Sequence, residues 1–148
     1  MILLLLACGL DQIAPPDRPT GPPGDTGCGV DWGWDISDST GSCTACIAGE
    51  YFRFTGSATN TCGEEEFFKT STSCLIDSVV VKERSGGSTV FQVTGECIPD
   101  DQTWALDPDQ TISEELVAPQ PLNPGEYILE INFGDSDASI AGAPFSVQ

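Results

Sequence analysis

The sequence predicts an all-β fold, a single antiparallel β-sandwich of about eight strands that is stapled by disulfides. Short runs rich in β-branched and aromatic residues recur between turn signals, which is typical of such a sandwich. No stretch sustains the periodicity of a long helix. The chain has seven cysteines in 148 residues, a count that indicates export from the cytoplasm, because disulfides form and persist outside it.

The N-terminus carries a short apolar run, residues 2–7, that cannot cross a bilayer, since a spanning helix needs about 20 residues. Such a run is typical of the hydrophobic region of a signal peptide. It ends in Leu5-Leu6-Ala7-Cys8, which resembles the lipobox of bacterial lipoproteins. The shared features are a branched aliphatic residue at the third position before the cysteine, a small residue directly before it, and the cysteine.

This resemblance implies a lipoprotein of the cell envelope that is anchored through Cys8. In that family the preceding peptide, here residues 1–7, is removed and the cysteine receives two or three acyl chains, enough for stable anchoring. Gly9 is not the aspartate that retains lipoproteins in the inner membrane, so we expect the outer membrane, with a secreted or periplasmic protein as the alternative. The basic residues that normally open a signal peptide do not follow Met1. A start upstream of Met1 would supply them. The alternative to the anchor is that Cys8 is an ordinary residue of a short apolar N-terminus.

Residues 8–27 are predicted to be a disordered tether, and residues 28–148 the folded domain. The tether is dense in proline, glycine and polar residues, which cannot bury a core. At roughly 3 Å per residue it would hold the domain up to about 50 Å from the membrane.

The charge balance limits the partners. The formal net charge is -18, from 23 acidic and 5 basic residues, which repels nucleic acid and favours cations or basic partners. The chain has no histidine, so the commonest general base and most catalytic zinc sites are excluded. We therefore predict that the protein is not an enzyme. The alternative is glycoside hydrolysis, which needs only two carboxylates about 5 to 9.5 Å apart.

After Cys8, an even six cysteines remain to form disulfides: Cys28, Cys43, Cys46, Cys62, Cys74 and Cys97. One pair follows from a predicted hairpin, in which residues 74–83 and 88–97 flank the loop 84–87. Pairing residue 83 with residue 88 brings Cys74 opposite Cys97. The same register places on the core face Ile76, Val80, Phe91 and Val93, and on the polar face Asp77, Glu83, Ser88, Gln92, Thr94 and Glu96. The apolar exceptions on the polar face, which predict that it is partly covered, are Val79, Val81 and Val90.

Cys43-Thr44-Ala45-Cys46 has the spacing of a redox or zinc motif. It lacks the neighbours and the βαβ context of thioredoxin-like proteins, and no histidine or second reduced pair completes a zinc site. We expect two loop cysteines that bond to different partners. Three connectivities of Cys28, Cys43, Cys46 and Cys62 stay open.

Residues 126–133 give the clearest strand, with one face made of Tyr127, Leu129, Ile131 and Phe133 and the other of Glu126, Glu130 and Asn132. The lead-in, residues 121–127, resembles the loop that enters a late strand of immunoglobulin-like sandwiches, where a tyrosine hydroxyl bonds to upstream backbone. Leu129 stands where an immunoglobulin domain has a cysteine, so the inter-sheet disulfide of that family is missing. Further strands are predicted at 30–36, 51–56, 65–70, 102–106, 111–117 and 144–147.

Two candidate sites come from residue type. Acidic pairs in loops could hold calcium, which takes six to eight oxygen ligands, and the favoured residues are Asp35, Asp38, Asp135 and Asp137. Solvated turn carboxylates are the alternative. Trp32 and Trp34 lie two apart and would share a strand face, with Trp104 beside them, as a platform for a sugar ring or a protein. Core packing is the more frequent fate of tryptophan.

The leading hypothesis is a non-catalytic envelope lipoprotein that binds a protein or glycan or has a structural role at the membrane surface. The alternatives are an acidic inhibitor or decoy of a basic protein, such as a cationic hydrolase, and a carbohydrate-binding module that uses Trp32 and Trp34. No cofactor is expected beyond the calcium that the acidic pairs would hold.

The anchor is directly testable by mass spectrometry of the protein extracted from membranes. We expect acyl chains on an N-terminal Cys8 and loss of membrane association in the Cys8→Ser variant, because burial of each methylene contributes about 0.8 kcal/mol. An unmodified Met1 terminus would contradict the lipobox assignment.

Overall fold

A computed structural model describes residues 28–135 and 137–148, and every regular element in these ranges is a β-strand. The predicted signal peptide and tether, including Cys8, lie outside the described residues. Within the described ranges, no helix is long and apolar enough to cross a membrane.

Eleven strands form this part of the chain: β1 (Val30–Asp38), β2 (Gly41–Ser42), β3 (Ala45–Cys46), β4 (Arg53–Asn60), β5 (Glu66–Thr70), β6 (Ile76–Glu83), β7 (Thr89–Thr94), β8 (Gln102–Leu106), β9 (Thr111–Val117), β10 (Gly125–Phe133) and β11 (Ser139–Val147). The predicted all-β fold is confirmed. The strands that the sequence did not predict are β2 and β3, which have two residues each and are too short to show a period.

The strands form a four-stranded sheet in the order β2-β1-β4-β9, which we call sheet A, and a five-stranded sheet in the order β3-β11-β10-β6-β7, which we call sheet B. A third sheet contains only β5 and β8. Every pair of strands is antiparallel except β3 with β11. The burial of β4 alternates strictly along the strand, as expected for a strand with one face on the core and one toward solvent.

The inner faces of sheets A and B share one apolar core, in which Phe54, Val79, Leu129 and Ile131 have no exposed surface. Gly56 of β4 permits this close packing. A Cβ atom at Gly56 would lie 2.7 Å from Cε1 of Phe133 and 2.8 Å from Cδ1 of Ile76, closer than real Cβ contacts. Glycine is therefore required here by the approach of the two sheets.

The predicted disulfide between Cys74 and Cys97 is confirmed, with Cα atoms 5.4 Å apart. The register predicted for the hairpin is correct at Lys82, which opposes Thr89, but is wrong before it. A bulge after Val81 shifts the pairing by one residue, so Val81 opposes Phe91. A one-residue shift exchanges the two faces of a strand.

The predicted faces of β6 are therefore wrong in part. Val79 and Val81, assigned to the polar face, have no exposed surface, whereas Val80 is only half-buried. Ile76 is nevertheless buried, because the pairing with β10 shifts again: Phe133 opposes Ile76 while Asn132 opposes Ser78. Of the three valines that looked like exceptions, Val79 and Val81 belong to the core, and Val90 is partly buried against it.

The predicted faces of β10 and the predicted tyrosine corner are confirmed. Tyr127 is buried, and its hydroxyl donates to the carbonyl of Asn123 at 2.8 Å. Burial raises the pKa of Tyr127 above its usual 10.0, and the negative charge of Glu83 adds to the shift. The hydrogen bond fixes the loop that leads into β10 at the point where the strand begins.

Glu114 of β9, at the edge of sheet A, binds the backbone at the start of β6. One of its oxygens accepts the backbone N–H groups of Leu75 at 2.6 Å and Ile76 at 2.9 Å, which ties sheet A to the start of β6. An inward-pointing charge on an edge strand also disfavours pairing with another chain.

Asn60, which has no exposed surface, joins three segments at the end of β4. Its Nδ2 donates to the carbonyls of Glu64 at 2.8 Å, Leu106 at 2.9 Å and Asp107 at 3.1 Å. Its Oδ1 accepts the N–H of Cys62 at 2.7 Å. A buried amide satisfied on both sides stabilises these loops, and its loss would leave several carbonyls without a donor.

The variant Asn60→Asp tests this network in urea unfolding at neutral pH. A carboxylate oxygen would face three carbonyl oxygens, so we expect the free energy of unfolding to fall by more than about 3 kcal/mol. The control Asn132→Asp makes the same change on the exposed face of β10 and should cost less than about 1 kcal/mol. Equal stabilities of the two variants would contradict the role of Asn60.

Candidate functional site

The segment between β1 and β4, residues 39–52, passes from sheet A to sheet B and back, and we call it the crossing segment. Its β2 strand pairs with the end of β1, and its β3 strand pairs with β11 at the edge of sheet B. The N–H of Ala48 donates to the carbonyl of Gln148 at 2.9 Å, and that of Gly49 to Leu122 at 3.3 Å. The segment therefore bridges the two sheets at one end of the sandwich.

The carboxylate of Asp38 holds the crossing segment in place. Oδ1 accepts the hydroxyl of Thr40 at 2.6 Å and its N–H at 2.8 Å, while Oδ2 accepts the N–H of Ile47 at 3.0 Å. The Thr40 hydroxyl most of all, followed by the Ile47 amide, lowers the pKa of Asp38 from its usual 3.8. The crossing segment is thus bound to one ionised side chain at two places, Thr40 before β2 and Ile47 after β3.

The disulfides of the remaining cysteines are Cys28–Cys62 and Cys43–Cys46. The expectation that Cys43 and Cys46 bond to different partners is wrong. β2 and β3 bring the two residues together, with Cα atoms 5.2 Å apart, and the bond closes the turn inside the crossing segment. An oxygen of Asp38 lies within 4.8 Å of both sulfur atoms, which as a disulfide are not metal ligands.

A shallow cleft of about 500 Å³ lies where the crossing segment rejoins sheet A, lined by Asp38, Ser39, Glu50, Tyr51 and Arg53. The carboxylate of Glu50 is fixed by Ser39, whose N–H and hydroxyl donate to it at 2.9 and 2.8 Å. Arg53 forms an exposed ion pair with Glu115 of β9 at 3.1 Å. We call this site the Tyr51 cleft.

Apolar side chains are exposed at the end of the sandwich that carries the cleft. Tyr51 is 58% exposed, Ile47 is 43% exposed and Val117 is 49% exposed. Val117 opposes Arg53 in the register of sheet A, and the N–H of Ile47 bonds to Asp38, so all three lie at the same end of the sandwich. Of the residues that line this site, sequence reasoning singled out only Asp38, and as a calcium ligand. The available signal was alternation, which puts Tyr51 and Arg53 outward while Phe52 and Phe54 point inward.

The three tryptophans proposed as a platform are partly buried and pack against the core. The ring of Trp32 lies 4.6 Å from that of Phe133 and 5.1 Å from that of Phe68. Trp104 stacks on Phe68 at 6.0 Å, and its Nε1 donates to the hydroxyl of Thr70 at 2.9 Å. Trp34 is partly buried against the core, and the aromatic ring contacts given above do not include it. A ligand platform at the tryptophans stays a prediction.

The residues proposed for calcium are engaged in local hydrogen bonds. Asp35 accepts the hydroxyl of Ser42 at 2.7 Å, and Asp135 accepts the N–H of Asp137 at 3.0 Å. Across residues 28–135 and 137–148, no three carboxylates place oxygens within 4.8 Å of one another. Calcium binding stays a prediction.

No family model and no curated protein sequence matches this chain. The solved C-terminal domain of wzt is similar in structure, with a TM-score of 0.50 and 11% identity over 81% of this chain and 74% of that one. At this identity the likeness shows the fold alone. A CARDB domain from Pyrococcus furiosus, solved in complex with di-metal ions, has a TM-score of only 0.38 and 13% identity over 80% of this chain and 87% of that one.

The hydrogen bonds to Asp38 predict how its contribution to folding stability changes with pH. The pKa of Asp38 is lower in the folded protein than in the unfolded chain, so its charge stabilises the fold fully at pH values above the unfolded pKa. This stability is lost as the pH falls through the folded pKa, which lies below 3.8. Carboxyl NMR titration should therefore find the pKa of Asp38 below 3.8. Thr40→Ala should raise it, because it removes the largest cause of the shift.

The matched control for this titration is Ser42→Ala, which removes a hydroxyl that bonds to Asp35 and not to Asp38. It should leave the Asp38 titration unchanged. The account of Asp38 fails if Thr40→Ala and Ser42→Ala have the same effect on it.

Proposed function

We propose that this chain is a non-catalytic binding module of the cell envelope, held by acyl chains on Cys8, and that the Tyr51 cleft is its contact surface. The observation that carries the proposal is a polar cleft lined by the exposed ring of Tyr51, with two further exposed apolar side chains, Ile47 and Val117, at the same end of the sandwich. Exposed apolar groups next to polar ones are typical of interaction sites.

The frame of the cleft supports a binding role. Ser39 fixes Glu50, and Asp38 and the Cys43–Cys46 disulfide fasten the segment that carries both Ser39 and Glu50. A surface held in one conformation loses little conformational freedom when a partner binds. The cleft is also shallow and open, which suits contact with a large partner better than enclosure of a substrate.

The chemistry of the chain supports a role without catalysis. There is no histidine for general base catalysis, and Asp38, the acid of the cleft with a lowered pKa, uses its oxygens to hold backbone and hydroxyl groups. A lipid anchor on Cys8 followed by a tether would present the cleft beyond the membrane surface, with the outer membrane as the proposed location.

Photo-crosslinking in producing cells tests this function. A photoreactive phenylalanine analogue is placed at Tyr51 or, as the control, at Phe67, an aromatic residue of β5 that is 61% exposed. We expect a discrete adduct, with a protein or a glycan, from position 51 and none from position 67. The same adducts from both positions, or none from position 51, would contradict the proposed contact surface.

A further inference from the structure

We infer that the ligand of the Tyr51 cleft is a basic segment of a protein partner, with a lysine or arginine side chain seated on the Tyr51 ring between Glu50 and Glu115. This inference rests on the proposed function and adds the chemistry of the partner.

The charge of the chain favours a cationic ligand. The formal net charge is -18, and acids exceed bases at the cleft as well, where Asp38 and Glu50 line the site with Arg53 and Arg53 is paired with Glu115. Such a field attracts basic segments and repels acidic ones and phosphate-rich surfaces. The charge complementarity selects a Lys/Arg-rich segment over other occupants of the exposed apolar surface.

Glu50 is prepared to accept a hydrogen bond from such a ligand. Its two oxygens each accept one bond from Ser39, so roughly half of its four lone-pair sites stay open. The bonds from Ser39 also fix the orientation of the carboxylate at the wall of the cleft. Asp38, in contrast, accepts three hydrogen bonds from Thr40 and Ile47 and acts as a positioning residue for the crossing segment.

Glu115 can act as a second acceptor if the basic side chain of the ligand replaces Arg53 in its ion pair. Its ion pair with Arg53 joins side chains that are 42% and 60% exposed. A pair so exposed is weak, because water and salt screen it. A basic side chain of the partner can therefore replace Arg53 at little cost.

Tyr51 supplies the face on which the cation rests. Its side chain lines the cleft beside Glu50 and is 58% exposed, so its ring is open to a ligand. A guanidinium or ammonium group over a tyrosine ring is attracted by the ring quadrupole. Ile47 and Val117 are exposed at the same end of the sandwich and offer apolar surface to the aliphatic stem of a lysine or arginine.

Fluorescence anisotropy with the full chain and its disulfides tests the inference, using a labelled tetra-arginine peptide and an otherwise identical tetra-citrulline peptide. Citrulline has nearly the shape of arginine but no charge. We expect binding of the arginine peptide only, weakened by added salt. Tyr51→Leu, which keeps apolar bulk but removes the aromatic face, should weaken binding about two- to fivefold.

The matched control for charge is Glu50→Gln against Glu65→Gln. Glu65 is exposed beyond the Asn60 end of β4, roughly 20 Å from the cleft, and its variant loses the same charge. Glu50→Gln should weaken binding more than Glu65→Gln does. Equal effects would show attraction to the net charge alone and would overturn the inference.

A neutral oligosaccharide, cellotetraose, completes the test as a competitor. Displacement of the arginine peptide by the sugar, or equal binding of the citrulline peptide, would overturn the basic partner while leaving a binding role for the cleft. The proposed function is tested separately, by the crosslinking at position 51. The expected result is displacement by excess unlabelled tetra-arginine and none by cellotetraose.

Discussion

The hydrogen bonds of the Asp38 carboxylate are the interaction on which the Tyr51 end of the molecule depends. β1 ends there, and the chain must cross to sheet B and return before it can form β4. Three hydrogen bonds to one ionised side chain fasten the outward turn at Thr40 and the far turn at Ile47. The cleft exists because the returning chain, at Glu50 and Tyr51, is brought back beside the outgoing chain at Ser39.

The opposite end of the sandwich is held by different means. Asn60 gathers the carbonyls of three residues, and the Cys28–Cys62 disulfide joins the start of β1 to the loop after β4. A small domain has limited core area, so covalent links and satisfied buried polar groups supply stability that apolar burial alone would not. Both ends of the sandwich are therefore tied by bonds that do not use the exposed ring of Tyr51.

The sequence predicted the fold where the pattern was local. The alternation of β10 and the tyrosine corner lie within about a dozen consecutive residues, and both are confirmed. The disulfide between Cys74 and Cys97 was predicted, but the faces of β6 were predicted only in part. The pairing of β6 shifts against β7 after Val81 and against β10 at Asp77, and its own alternation does not show these shifts. The Tyr51 cleft escaped prediction because residues of β1, β4 and β9 meet there only after sheet A forms.

The Tyr51 end of the sandwich, and not the β5 face, is the surface that we propose a partner covers in the envelope. Hydroxyl-radical footprinting compares the labelling of Tyr51 and Phe67, both more than half exposed in the isolated chain, before and after extraction from intact cells. The account predicts that Tyr51 is protected in the envelope and labelled after extraction, while Phe67 is labelled equally in both. Equal labelling of Tyr51 in the two states would contradict it.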